Sequence, residues 1–439
     1  MNTRRMRWSG LAVAVGLAAA VTLTALASGQ DTFEVWAIDQ SNSPGQAFGG
    51  TLYVWDGHDL ENLKGTGSAA AEKIDLAGPT AALCLASTGA NPIRPHMIAM
   101  NPSQTHAIIS FVASGHVVFM DAAARQPVAC FRMSAGDGGA RQAHMSSPSP
   151  DETYVTVANQ NGKLFERIRT DYATNTFVHD TAGTLNLATC TTPNGLPCQA
   201  AMIRPDNAPI CPIPESTSRF VFVTLRGGGL FVVDGRSTPM QIVGEYDNAT
   251  IHGNGCLGAE VPGKMYIDSG GGTAANLHQA DLYAFPVDGY SGLNPPNTPA
   301  PTLIFSDPSA GADAHGAALT NHAKYLWVAD RGRNFLWVVD TATDRVVNTI
   351  SLAGHVSADP TPDLVAVSPN GSHAFMSMRG PFPLTADPHV STGSTPGVGI
   401  VKITESGRNG TFEAVARVSN VDATGVERAD VHAMTVRTR

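Results

Sequence analysis

One short unit recurs along this chain and constrains its fold more than any other feature. The unit opens with a His or an Asp, runs through an apolar strand and a turn, and ends in a second strand. Four copies align without a gap: HMIAMNPSQTHAIISF from His96, HMSSPSPDETYVTVAN from His144, HGAALTNHAKYLWVAD from His315 and DLVAVSPNGSHAFMSM from Asp363. A pair of strands cannot bury its apolar face alone, so we expect the copies to pack on one another as a repeat protein.

The spacing of these units predicts seven blades of a β-propeller. Two intervals between lead residues are 48 positions, and the larger intervals leave room for further blades or insertions. The predicted lead residues are His96, His144, Ile210 or Cys211 in an atypical fourth blade, His252, His315, Asp363 and His432. We therefore predict an all-β chain in which residues 33–436 form a single seven-bladed β-propeller domain.

The first blade lacks its own lead strand. Predicted strands at 33–38, 51–55 and 72–76 have no His-led strand before them, whereas one such strand is left over at 430–436. In a closed propeller the last strand of the chain often completes the first blade, which removes the open sheet edges. We expect the C-terminal strand to close this propeller in the same way.

The composition agrees with a turn-rich all-β chain. Its 439 residues include 44 Gly and 29 Pro, and only 15% are charged. The formal net charge of −9 argues against a nucleic acid or an anionic membrane as a general partner. The sequence contains neither a Gly-rich phosphate loop nor the Ser motif of a nucleophile elbow.

The N-terminus has the features of a secretory signal peptide. Arg4, Arg5 and Arg7 precede an apolar run at 11–26, which leads into an Ala-Leu-Ala cleavage site. We predict that residues 1–27 are removed and that the mature protein is periplasmic or secreted, with no membrane attachment. A retained membrane anchor is the alternative.

The six cysteines favour one disulfide. Cys190 and Cys198 flank the turn-rich loop TTPNGLP, and in an exported chain we expect them to pair across it. Six cysteines allow fifteen connectivities, so the pairing of the other four stays open. A placement in adjacent inner strands would pair Cys211 with Cys256 and leave Cys84 for Cys130.

Residues at one repeat position of a propeller lie on a ring around its central axis. The lead position, just before the strand that lines the channel, carries His96, His144, His252, His315, Asp363 and His432. A single His on a strand is usually structural, but converging neutral imidazoles suit copper, zinc, iron or nickel. These side chains outnumber the four ligands of a tetrahedral zinc ion, so we predict a site for more than one metal ion and favour copper.

Two acidic residues accompany the ring. Asp313 and Asp430 precede His315 and His432 by two positions. They could orient the imidazoles by accepting their N–H groups, and holding a turn is the alternative. Histidines at other repeat positions are predicted to be structural: His106, His116, His278, His322, His355, His373 and His389.

A second ring is predicted at the mouth of the channel. Arg331 and Arg379 each fall sixteen positions after a lead residue, each is followed by Gly, and Arg226 takes the same place in the fourth blade. A planar guanidinium pairs well with small anions, so these residues are candidates for binding an anionic substrate. A turn feature on the exposed rim is the alternative.

These blades resemble the YncE-type family of seven-bladed propellers over residues 33–436. The histidine-led channel is also similar to two copper propellers, the catalytic domain of nitrous oxide reductase and, more closely, thiocyanate dehydrogenase. That resemblance implies that the copper ligands are His96, His144, His252, His315, Asp363 and His432. It does not extend to the cupredoxin domain of nitrous oxide reductase, for which no residues remain, and it identifies no acid–base residues.

The resemblance implies an exported multi-copper oxidoreductase acting on a small inorganic anion such as thiocyanate. Because the chain has no Cys-x-x-Cys-His haem motif and no cupredoxin, electrons would leave through an external carrier. A non-catalytic propeller that binds a metal or a partner is the first alternative. A calcium-dependent, lactonase-like hydrolase is the second, although calcium prefers oxygen ligands over the imidazoles of this ring.

Overall fold

Seven β-sheets, one for each predicted blade, make up the computed structural model of this chain. The structure describes residues 32–271, 278–292, 298–384 and 392–439. The chain from Thr32 to Arg439 belongs to one compact unit. The predicted signal peptide at 1–27 and His389 lie outside the described residues.

The first four blades follow one another along the chain. Blade 1 starts with β1 (Phe33–Asp39) and β2 (Thr51–Asp56) and, after the short β3 (Gly65–Gly67), continues with β4 (Glu72–Asp75). Blade 2 contains β5 (Pro95–Met100), β6 (His106–Phe111), β7 (His116–Asp121) and β8 (Gln126–Arg132). Blade 3 contains β9 (Ala143–Pro148), β10 (Tyr154–Asn159), β11 (Leu164–Asp171), β12 (Thr176–His179) and β13 (Leu185–Asn186). Blade 4 contains β14 (Pro209–Pro214), β15 (Phe220–Leu225), β16 (Leu230–Asp234) and β17 (Gln241–Tyr246).

The last three blades complete the ring. Blade 5 contains β18 (Gly258–Val261), β19 (Lys264–Gly270), β20 (Ala280–Pro286) and β21 (Thr302–Asp307). Blade 6 contains β22 (Ala314–Thr320), β23 (Tyr325–Asp330), β24 (Phe335–Asp340) and β25 (Arg345–Ser351). Blade 7 contains β26 (Pro362–Val367), β27 (His373–Met378), β28 (Gly397–Thr404) and β29 (Asn409–Arg417), and the final strand is β30 (Val431–Thr438).

The C-terminal strand closes the propeller, as predicted. β30 pairs antiparallel with β1 as the innermost strand of blade 1, with Trp36 opposite Thr435. β3 adds a second link, because it pairs in parallel with the outer strand β29 of blade 7. Blade 1 is thus joined to the end of the chain at both its inner and its outer side.

Helices are few. α1 (Gly57–Glu61) is capped by the Asp56 side chain, and α2 (Pro79–Thr88) lies between blades 1 and 2. The 3-10 helices are Asp137–Gly139, Thr181–Gly183 and Glu405–Gly407. The sequence patterns did not predict α2, which has Pro at its first turn and Gly89 as its left-handed C-cap. Among the described residues, no helix has the length and apolarity to span a membrane.

The blade interiors are apolar on both faces because each blade packs between two others. On β23, Trp327 packs with Met376 of blade 7, whereas Leu326 packs with Leu282 of blade 5. This explains why the middle strands read as continuous apolar runs rather than as an alternation of apolar and polar residues.

Three disulfides are present, and they are compatible with an exported protein. The predicted bond between Cys190 and Cys198 is confirmed. The four remaining cysteines pair in the arrangement that adjacent inner strands favoured: Cys84 with Cys130, and Cys211 with Cys256. The last of these bonds links the inner strand of blade 4 to the segment leading into blade 5.

Removing single disulfides should destabilise the protein according to the length of chain that each bond closes. The bonds Cys84–Cys130 and Cys211–Cys256 span 46 and 45 positions, whereas Cys190–Cys198 spans 8. Loop-closure entropy predicts losses of about 4 kcal/mol for each long bond and about 2.6 kcal/mol for the short one. Denaturant unfolding of the three Cys→Ala pairs measures this, and a larger loss for the short bond would contradict it.

Candidate metal centre at the propeller axis

The lead position coincides with a β-bulge. In blade 6 the register of β22 on β23 shifts between Ala314 and Ala317, so that His315 and Gly316 lie in the irregular segment. The same shift occurs at the lead position in blades 1, 2, 3, 4 and 7. A bulge leaves a residue unpaired and redirects its side chain. The lead residues therefore lie outside the regular pairing of the inner strands with their neighbours.

A recurring backbone hydrogen bond defines which residues are equivalent between blades. In blade 6 the Arg331 N–H donates to the Asp313 carbonyl, two positions before the lead residue His315. The lead residue of each blade lies two positions after the corresponding acceptor. From blade 1 to blade 7, the lead residues are His432, His96, His144, Ile210, Cys256, His315 and Asp363.

The prediction of His252 as the lead residue of blade 5 is therefore corrected. The Gly270 N–H donates to the Asn254 carbonyl, which places Cys256 at the lead position. His252 lies four positions upstream in the preceding loop. Among the described residues its ring contacts Asp281, with Nδ1 2.7 Å from Oδ2, and Tyr283. The structure does not bring His252 into contact with the lead residues.

Three lead residues form a compact group. Among the described residues, the one set of three His, Cys, Asp or Glu side chains whose ligand atoms all lie within 4.8 Å of one another is His315, Asp363 and His432. His315 Nδ1 is 2.5 Å from Asp363 Oδ1, and His432 Nε2 is 3.6 Å from Asp363 Oδ2. All three side chains are buried.

Two further imidazoles extend this group. The His96 ring stacks on the His432 ring with centroids 3.8 Å apart, and His96 Nε2 is 3.2 Å from His144 Nε2. Four imidazoles and one carboxylate from blades 6, 7, 1, 2 and 3 thus form a continuous cluster, which we call the axial cluster: His315, Asp363, His432, His96 and His144. The remaining lead positions, Ile210 and Cys256, make the opposite wall apolar.

The second ring differs from the predicted mouth of arginines. Arg331 donates from Nε and Nη2 to Asp313 at 2.9 and 3.0 Å, and from Nη1 to Asp363 at 3.3 Å. Arg379 binds Asp430 at 2.6 and 2.8 Å and Asp363 at 3.1 Å. Both arginines are buried, so they brace the cluster instead of standing free at its entrance.

The predicted roles of the accompanying residues change accordingly. Asp313 and Asp430 accept from the arginines, which replaces the prediction that they orient His315 and His432. The third predicted arginine, Arg226, is about one-third exposed and binds Asp206 at 2.6 Å, away from the carboxylates of the cluster.

The charges of the buried network do not balance. Three carboxylates, Asp313, Asp363 and Asp430, face two guanidinium groups, Arg331 and Arg379. With neutral imidazoles the cluster has one excess negative charge. A buried group of charges with a negative sum favours a nearby cation.

The pKa values of the cluster suit a metal. Burial lowers the pKa of His96 and His432 well below the ordinary value, and it also lowers that of His315. Burial alone would raise the pKa of Asp363, but the neighbouring histidines and arginines hold it well below its usual range. Neutral imidazoles and an ionised carboxylate are the forms that coordinate metal ions.

Apolar residues next to the lead positions form what we call the apolar floor of the axial cluster. The residues that follow the lead positions, among them Met97, Leu364 and Ala433, belong to one packed group that also contains Ile210 and Cys256. They surround the lead residues with apolar side chains from several blades.

Histidines that were predicted to be structural have local partners. His106 Nε2 is 2.6 Å from the Asn175 side chain, His116 Nε2 is 2.9 Å from Thr88 Oγ1, and His373 Nδ1 is 3.4 Å from Glu61. One contact residue of the cluster, Gln40, was missed. The signal for it is positional, because Gln40 follows β1 where Arg331 follows β23.

Comparisons with known proteins identify the fold. No family model and no curated protein sequence matches the chain. Among solved structures, a Lactobacillus plantarum protein matches with TM-score 0.58 and 10% identity, over 92% of this chain and 99% of that one. A periplasmic gluconolactonase of Pseudomonas aeruginosa (TM-score 0.56, 13% identity) and a candidate 6-phosphogluconolactonase of Bacteroides fragilis (0.56, 10%) each match over 93% of this chain and 99% of theirs. At these identities the likeness establishes a shared propeller architecture.

Breaking the pair Arg379–Asp430 should cost much more than breaking a surface pair. Removing either partner leaves an uncompensated buried charge, so Arg379→Met and Asp430→Asn should each lower the free energy of unfolding by about 3–5 kcal/mol. The double variant should lose less than the sum of the two. The partly exposed pair Arg226–Asp206 is the control and should contribute less than about 1 kcal/mol. Additive effects at Arg379–Asp430 would refute this account.

Stability of the metal-free protein should fall on mild acidification. His96, His315 and His432 have lower pKa values folded than the ordinary 6.5, so the unfolded chain binds more protons below that value. Each contributes up to about 1.4 kcal/mol per pH unit in the window between the two values. Urea unfolding in the presence of a chelator, from about pH 7 down to about pH 5, measures this loss. A free energy of unfolding that is constant or rises toward pH 5 would show that the imidazoles are not held neutral.

Proposed function

We propose that the axial cluster binds a transition-metal ion and that the protein is a metal-dependent hydrolase of a small ester or lactone. The observation that carries this proposal is the convergence of His315, Asp363 and His432, all buried and all from equivalent positions of three consecutive blades. Two imidazoles and one carboxylate leave coordination positions open, as hydrolytic zinc sites do.

The donor set selects the class of metal. Zinc, copper, iron and nickel accept imidazole nitrogen together with a carboxylate oxygen. Calcium takes six to eight oxygen ligands, which the cluster does not offer, so the calcium-dependent form of a lactonase does not fit these residues. One divalent ion would also reverse the excess negative charge of the buried network.

Each residue of the cluster has a definable task. A bound metal ion supplies Lewis-acid chemistry and lowers the pKa of water. Arg331 and Arg379 keep Asp363 ionised and fix its two oxygens, one toward each side of the site. The neutral ring of His96 stacks on His432 and can accept a proton from water that attacks a carbonyl carbon, and His144 lies against His96.

The fold supports the choice of a hydrolase. Two of the solved propellers that match nearly the whole chain are named for lactone hydrolysis. Hydrolysis also needs only water as co-reactant, whereas oxidation needs an electron acceptor outside this chain. The substrate class is therefore proposed as a small lactone whose polar end meets the cluster and whose other side meets Ile210 and Cys256.

A copper oxidoreductase acting on a small anion is the second candidate. It is favoured by the presence of four imidazoles in one cluster, which is more than one ion needs and which is the basis of the resemblance to thiocyanate dehydrogenase. In that case the anion would bind to metal instead of to Arg331 or Arg379, whose donors are engaged by carboxylates. A non-catalytic metal-binding propeller would retain the cluster but show neither activity.

Activity assays on the same preparation separate these candidates. Protein supplied with zinc, cobalt or copper should hydrolyse gluconolactone, and chelation should abolish the reaction. Asp363→Asn should reduce the rate roughly a hundredfold, because the ligand charge is lost. Asp206→Asn, which alters an exposed ion pair, should leave the rate unchanged. Hydrolysis that survives chelation would refute the proposal, and thiocyanate oxidation with a dye acceptor would favour the second candidate.

A further inference from the structure

Gln40 is a buried amide beside the axial cluster that neither the ring pattern nor the proposed metal site explains. It follows β1 directly and its side chain is only 1% exposed. Its backbone N–H donates to the Asp430 carbonyl, as the Arg331 N–H does to Asp313. Gln40 therefore occupies in blade 1 the place that Arg331 and Arg379 occupy in blades 6 and 7.

Arg331 and Gln40 each reach the lead residue of the next blade, and the chemistry of each matches its partner. Arg331 of blade 6 binds the carboxylate of Asp363 in blade 7. Gln40 of blade 1 binds the imidazole of His96 in blade 2, with Oε1 2.6 Å from Nδ1. A guanidinium donates hydrogen bonds to an anion, whereas an amide oxygen accepts a hydrogen bond from a ring N–H.

The contact selects one tautomer of His96. An amide oxygen is an acceptor, so Nδ1 must carry the proton and Nε2 must present a lone pair. Nε2 is the atom that faces His144, at 3.2 Å between the two Nε2 atoms. Gln40 thus turns the unprotonated nitrogen of His96 toward the interior of the axial cluster.

The other end of the same amide has donors to spare. Gln40 Nε2 is buried and has no hydrogen-bond partner among the described residues. Oε1 lies on the His96 side of the amide, so Nε2 is the end of the side chain without a partner. A buried donor without a hydrogen-bond partner costs about 1–3 kcal/mol. We therefore expect this N–H group to bind an acceptor that comes from outside the protein.

We propose that Gln40 fixes His96 as the Nδ1-protonated tautomer and donates its own amide N–H to an oxygen of the bound substrate. The substrate oxygen is the carbonyl oxygen of the lactone, which accepts a hydrogen bond and gains negative charge when water attacks the carbonyl carbon. This inference deepens the proposed hydrolase and rests on it for the identity of the substrate. The tautomer does not depend on it.

Nuclear magnetic resonance of the metal-free protein tests the binding part without turnover. Long-range ¹⁵N–¹H spectra should show His96 with the proton on Nδ1, and Gln40→Met should yield a mixture of tautomers. The NMR signal of the Gln40 side-chain amide is the one that disappears in Gln40→Met. That signal should shift when gluconate is added as a probe that carries carboxylate oxygens. A proton on Nε2 of His96, or an amide signal that gluconate leaves unmoved, would overturn the inference even if the protein proves to be a lactonase.

Kinetics of two variants separate donation from positioning. Gln40→Glu keeps an acceptor for the His96 N–H but has no N–H to donate, so metal content should be retained while kcat/KM for gluconolactone falls about 100-fold. Gln40→Met should lose both functions and bind metal more weakly. Gln160→Glu is the control, because Gln160 takes the same place in blade 3. Wild-type kcat/KM in Gln40→Glu would show that Gln40 only positions His96 and would refute substrate donation.

Discussion

The ion pairs between two buried arginines and three buried carboxylates determine the geometry of the propeller axis. Arg331 joins Asp313 of its own blade to Asp363 of the next, and Arg379 joins Asp363 to Asp430 at the start of the closing strand. The same bonds that hold blades 6, 7 and 1 together therefore set the position and charge of Asp363. Burial makes this network costly to break and leaves it one positive charge short. The same ion pairs therefore join the blades and favour a cation at the axis.

The repeat made most of the fold predictable, because blade spacing, the missing first strand and the surplus last strand all point to one closed architecture. Five of the six lead residues predicted as ligands come together for the same reason. His252 does not, because loop length before a strand cannot be read from residue type, and Cys256 takes its place. The sequence also could not predict which carboxylates Arg331 and Arg379 bind, because pairing across blades depends on the direction of each side chain. Gln40 was missed because no repeat copy begins in blade 1.

The arrangement of the channel bears on what it can act on. A cluster of four imidazoles and a carboxylate lines one side, Ile210 and Cys256 line the other, and the apolar floor surrounds the lead residues. Such a site suits a small molecule with one polar end. Arginines that are paired with carboxylates do not attract anions at long range, so in the proposed hydrolase the metal and neutral donors such as Gln40 would recognise the substrate. This favours an ester or lactone over a small inorganic anion.

Anomalous X-ray scattering from crystals of the protein, purified without added metal or chelator, tests the central claim most directly. Data collected on either side of the absorption edges of zinc, copper and iron would identify any bound element and its position. The account predicts a peak at the axis within about 2.0–2.2 Å of a His315 or His432 nitrogen and an Asp363 oxygen. The absence of a peak at that place, or a peak only at the surface of the propeller, would contradict it.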